Sequence, residues 1–124
     1  MTRILVMDVL DERVLRHLAQ DLGQTAANRI AKQYADSLKN RLELLAVATF
    51  DGGLCAVYDT AVDLAVTGAM VGAVRLAREA WAVACDVVRY RTVPQIDTLE
   101  RLMRLAYDTE AALLRHHRAG TPAP

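Results

Sequence analysis

The chain has 124 residues, a length that fits one domain. A domain of this size buries enough surface to fold without a disulfide or a structural metal. Its 15 Lys and Arg residues balance 15 Asp and Glu residues, which argues against a general nucleic-acid or membrane-surface role, because such a role needs a basic field. Hydrophobic residues make up 53 % of the chain and aromatic residues only 5 %, a composition that favours closely packed helices with aliphatic cores.

The cysteines and the N-terminal sequence indicate a cytoplasmic protein. Cys55 and Cys85 belong to no CxxC pair, so we expect both to be reduced thiols in the core or at its boundary. The opening sequence MTRILVMDVL lacks the length and cleavage pattern of a signal peptide, and no run reaches about 18 apolar residues. We therefore expect neither secretion nor a membrane span.

The chain begins with an arm and a short helix. No second strand-like run exists to pair with residues 1–10, so we expect an arm that lays Ile4, Val6 or Leu10 across one end of the fold. Asp11 is the predicted N-cap of a first helix, which ends before Gly23 because glycine readily takes the left-handed conformation that terminates helices.

Three further connections divide the rest of the chain into four longer helices. The second helix has Thr25 as its expected cap and ends at the turn sequence DGG of residues 51–53. The third runs from about residue 54 to 71, and its mid-helix Gly68 predicts the close approach of a neighbouring helix. The fourth starts near Ala73. The fifth has Pro94 in its first turn and ends near residue 118.

The predicted fold is all-α: an up-down-up-down antiparallel four-helix bundle with a short extra N-terminal helix. We expect one domain over residues 1–119 and a disordered tail over residues 120–124.

The third helix has apolar residues where a bundle helix normally has charge. Its predicted buried stripe comprises Leu54, Val57, Ala61, Leu64, Gly68 and Val71. On the opposite side the helical wheel places apolar side chains together with two acids. Exposed apolar patches are typical of docking surfaces, so we predict a partner-binding surface there. Its residues are Tyr58, Asp59, Val62, Asp63, Ala65, Val66 and Ala69.

Residues 60–76 on this helix and its continuation resemble the signature of histidine-containing phosphotransfer (Hpt) domains, a pattern of the type A-H-x-L-K-G-S-A-x-x-L-G. Ala61, Leu64 and Thr67 match its small, core and hydroxyl positions, and Val71-Gly72 matches its end. The resemblance implies an Hpt-like bundle that docks a receiver domain or a histidine kinase of a two-component system.

The departures from this pattern remove the chemistry of the family. Val62 stands at the position of the phospho-accepting histidine, Ala65 at that of the lysine which holds the phosphoryl group, and Val66 at that of the following glycine. Neither valine nor alanine can carry or neutralise a phosphoryl group. The resemblance therefore implies a degenerate, non-catalytic module that docks partners without accepting phosphate.

The remaining residues offer few sites for other functions. The alternative for the third helix is a homodimer that uses the same apolar face. Adjacent His116 and His117 would point about 100° apart on a helix, so they cannot bind one metal together. No cofactor-binding or catalytic motif occurs in the sequence. We therefore predict neither a metal site nor an enzyme. His17 is the one position left open as a displaced phospho-acceptor.

Overall fold

A computed structural model of the chain describes residues 9–119, and five α-helices make up most of this range. They are α1 (Glu12–Leu22), α2 (Gln24–Phe50), α3 (Leu54–Met70), α4 (Val74–Tyr90) and α5 (Ile96–Ala119). The described residues contain no β-strand, so the predicted all-α class is confirmed. The predictions for Ile4, Val6 and the tail of residues 120–124 lie outside the described residues.

The four long helices pack in a ring, as predicted. α3 packs most extensively against α4, α2 lies between α3 and α5, and α4 closes the ring against α5. α1 packs against α2. Because the connections between successive long helices are short, neighbours run antiparallel. The most deeply buried large side chains are Leu38, Leu45, Leu64, Leu76, Leu102 and Leu113.

The start of α1 is pinned to the turn between α3 and α4. The Asp11 side chain caps α1 by accepting from the Arg13 backbone N–H, as predicted, and the Asp11 N–H donates to the Gly72 carbonyl over 2.7 Å. Gly72 has a φ of +78°, and a Cβ there would lie 2.6 Å from the Asp11 carbonyl oxygen. Leu10 is buried in the core, which confirms its predicted position at one end of the bundle.

Gly68 permits close packing of α3 against α2 and α4. A Cβ at this position would lie 2.9 Å from the Tyr34 hydroxyl on α2 and 3.5 Å from the Ala77 Cβ on α4. The predicted close approach is therefore confirmed, and its neighbours are on two helices. The Tyr34 hydroxyl is buried and has no hydrogen-bond partner.

Several local predictions were wrong. α2 begins at Gln24, with Gly23 and not Thr25 at its N-cap, and α5 begins two residues beyond Pro94. Cys55 and Cys85 are both exposed, because each lies on the outward side of its helix.

Met103 and Trp81 also differ in burial from the residues around them. Met103 is 57 % exposed, because the adjacent Leu102 faces inward and neighbouring residues on a helix point about 100° apart. Trp81 is 49 % exposed, whereas its neighbour Ala80 is fully buried.

Candidate functional site

The outer side of α3 is an exposed, partly apolar surface. Val66 is 50 % exposed and Tyr58 is 37 % exposed, and Ala69 beside them is exposed as well. Asp59 and Asp63 are exposed on the same helix. The structure thus places five of the seven predicted site residues at the surface, and their role in binding stays a prediction.

Ala65 and Val62 are the two exceptions. Ala65 was expected to face outward, yet it is 5 % exposed and belongs to the core. The reason is that α3 packs against both α2 and α4, so its buried arc is wider than a single apolar stripe. Val62 is half-buried and packs against the core, so only part of its side chain is exposed at this surface.

Asp63 forms an ion pair with Arg41, which reaches across from α2. The Arg41 Nε donates to the Ser37 hydroxyl over 2.8 Å, and the guanidinium lies 5.9 Å from the centroid of the Tyr34 ring. Only 26 % of the Arg41 side chain is exposed. Arg41 therefore covers the side of α3 that faces α2, and its guanidinium is occupied by contacts within the chain.

Tyr34, beneath this arginine, is held in its neutral form. Burial raises the pKa of the Tyr34 phenol far above its usual value, an effect that the charge of Arg41 opposes and that of Asp63 reinforces. The phenol is thus a packing group that stays protonated near neutral pH.

The hydroxyl of Thr67 is also engaged. It donates to the backbone carbonyl of Asp63 over 2.6 Å, one turn earlier on α3. A threonine bonded in this way does not donate to a ligand, because its proton is used by its own helix.

A second group of exposed apolar residues, on α4, escaped the sequence reasoning. Val88 is 66 % exposed and Trp81 is 49 % exposed. Cys85, which lies between them in the sequence, is exposed as well. The spacing of residues 81, 85 and 88 places them on one side of the helix, and this signal was present in the sequence. These residues lie outside the buried stripe of α4, which is formed by Leu76, Ala80, Val83, Ala84 and Val87.

The described histidines lie away from α3. His17 is exposed on α1, and the His116 Nδ1 on α5 lies 3.5 Å from the Glu12 Oε1 on α1. Within residues 9–119, no group of three or more His, Cys, Asp or Glu side chains is placed to hold a metal ion. Across that same range, no helix has both the length and the apolar character that crossing a bilayer requires.

A short helix against an antiparallel ring of four longer ones is the fold of histidine-containing phosphotransfer proteins. A solved structure of this class, histidine-containing phosphotransfer protein B (HptB) from Pseudomonas aeruginosa PAO1, matches with a TM-score of 0.83. The match covers 94 % of this chain and 100 % of that chain at 19 % sequence identity, and it establishes the fold. No family model matches the sequence, and no curated protein is significantly similar to it.

Proposed function

We propose that this chain is a signalling module that docks a receiver domain, or another two-component partner such as a histidine kinase, without accepting a phosphoryl group. The observation that carries the proposal is a combination within one helix. α3 of an Hpt-like fold exposes the apolar residues Tyr58 and Val66, while valine and alanine stand at the positions of the family's histidine and lysine. A cytoplasmic location belongs to the same proposal.

The chemistry of transfer supports the non-accepting role. A carrier needs an imidazole nitrogen to bond the phosphorus and a nearby cation to balance the added charge. α3 contains neither a histidine nor a basic residue. The cation that reaches α3 from α2, Arg41, is committed to Asp63. Docking, by contrast, needs only surface shape and apolar area, which α3 retains.

Incubation with radiolabelled phosphorylated receiver domains of the same organism tests the absence of transfer. We expect no stable label on this chain, while a true Hpt protein added to the same reactions gains label. Stable label on the chain would contradict the proposal, and its position would show whether His17 is the acceptor.

A matched pair of variants tests docking. Val66→Asp places a charge on the exposed part of α3 without reaching the core, whereas Val62→Asp would also disturb packing because Val62 is half-buried. Val47→Asp is the control, because Val47 has a similar exposure of 58 % but lies on α2. We expect Val66→Asp to weaken receiver capture by at least about tenfold, and Val47→Asp to leave it unchanged, since a charge buried at an interface without a partner is costly. Equal effects of the two variants, or no receiver captured by the native chain, would refute docking through α3.

A further inference from the structure

Helix geometry places the apolar residues at the surface of α3 beside those at the surface of α4. We name this set the α3–α4 face: Tyr58, the half-buried Val62, Val66, Trp81, Cys85 and Val88. Ala77 of α4 lies against Gly68 of α3. Trp81 and Val88 follow Ala77 by about one and three helical turns, so they lie on the same side of α4, along the seam with α3. Because the two helices are antiparallel, this register brings Val88 level with the region of Tyr58.

The α3 edge of this face is acidic. Asp63 reaches toward α2, where it pairs with Arg41, and therefore marks the side of α3 that is remote from α4. Asp59 lies one turn earlier on the same side and is exposed.

The α4 edge is basic on balance, although the exposed Asp86 lies one turn before Arg89. Ala77 faces α3, and Glu79 faces α5, where its carboxylate accepts from the Arg101 Nε over 3.3 Å. Arg78 lies between these two in the sequence, so it points away from the bundle. Arg89 follows about three turns later on the same side, and both arginines are exposed.

We propose that the α3–α4 face binds a second copy of this chain in a two-fold dimer. A rotation about a two-fold axis parallel to the helices sets α3 of one copy over α4 of the other and leaves every residue at its own height along the axis. The acidic edge of each copy then faces the basic edge of its partner. Asp59 meets Arg89, because the register of α3 and α4 places these two residues at nearly the same height. The apolar residues, including Trp81, fill the centre. The charges thus make the face complementary to itself.

The dimer occupies the same side of α3 that the proposed receiver would use, so self-association and receiver docking exclude one another. The inference itself stands on the α3–α4 face and its two edges, and its test needs no receiver. Failure of the dimer would therefore leave the docking proposal intact, and failure of docking would leave the dimer.

Sedimentation equilibrium of the purified full chain, in a series that reaches millimolar protein, tests the dimer. We expect a monomer–dimer equilibrium that weakens with added salt. Asp59→Arg and Arg89→Glu should each weaken dimerisation roughly tenfold, because each reversal acts twice in a two-fold dimer. The double variant should recover most of the loss, since it exchanges the two edges. Arg104→Glu, at an exposed arginine of α5, is the control and should change nothing.

Circular dichroism of each variant verifies that the helices remain folded, and the recovery in the double variant shows the same independently. A native chain that stays monomeric at the highest concentration overturns the proposal. So does a dimer that both single reversals leave intact, or a double variant as weak as the two losses added together.

Discussion

Replacing Gly68 with alanine changes a close contact of α3 with α2 and α4. The new Cβ would lie 2.9 Å from the Tyr34 hydroxyl, a separation that forces either the phenol or α3 to move. Alanine improves helix propensity by about 1 kcal/mol, while such overpacking costs about 1–3 kcal/mol. We therefore expect Gly68→Ala to lower the free energy of unfolding by about 1 kcal/mol.

Tyr34→Phe should reverse the sign of this effect. The Tyr34 hydroxyl has no hydrogen-bond partner, so its removal leaves no other polar group unpaired and stabilises the fold or leaves it unchanged. With the hydroxyl gone, alanine at position 68 contacts only ordinary neighbours, such as Ala77 at 3.5 Å, and its helix propensity adds about 1 kcal/mol. The predicted coupling energy between the two positions is thus about 2 kcal/mol.

Urea unfolding of the native chain, the two single variants and the double variant, followed by circular dichroism at the helical band, measures this cycle. Gly53→Ala is the control, because the nearest atom to its added Cβ is the Ala56 Cβ at 3.8 Å, and its effect should be the same with or without Tyr34→Phe. If Gly68→Ala destabilises the chain equally in both backgrounds, the hydroxyl is not the obstacle and the reasoning is refuted.

Single contacts in the structure lead to three further predictions. Gly72→Ala should destabilise the chain by more than about 1 kcal/mol in the same urea assay, because residue 72 has a positive φ and its new Cβ would overlap the Asp11 carbonyl. Unchanged stability would contradict the contact between the start of α1 and the α3–α4 turn. The raised pKa of Tyr34 keeps the phenol protonated in the folded chain, whereas in the unfolded chain the phenol loses its proton above its ordinary pKa of 10.0. The free energy of unfolding should therefore fall as the pH rises beyond that value. Tyr34→Phe should make this fall shallower, and an identical pH profile would refute the burial argument. Both Cys55 and Cys85 should react with a thiol reagent in the folded protein as fast as a free thiol, and protection of either one would contradict its exposure.

Local spacing within the sequence predicted most of the fold. The apolar repeats on each long helix, the capping side chain of Asp11, and the glycines at the ends of α1 and α3 depend on residues within a few turns of each other. Gly68 also carried nonlocal information, because a glycine inside a helix is compensated by close packing. The resemblance on α3 led to the same bundle that the structural comparison supports.

Only the tertiary structure decided which side chains at the borders of the stripes face solvent. Ala65 is buried because α3 has two neighbours, and a helical wheel drawn for one helix contains no information about how many partners it has. The ion pair of Arg41 with Asp63 joins residues 22 positions apart, and no local pattern predicts it. The exposed apolar residues Trp81 and Val88 of α4 likewise lie beside α3 only because the two helices pack against each other. Helix formation depends on neighbours in sequence, whereas the composition of a surface depends on neighbours in space.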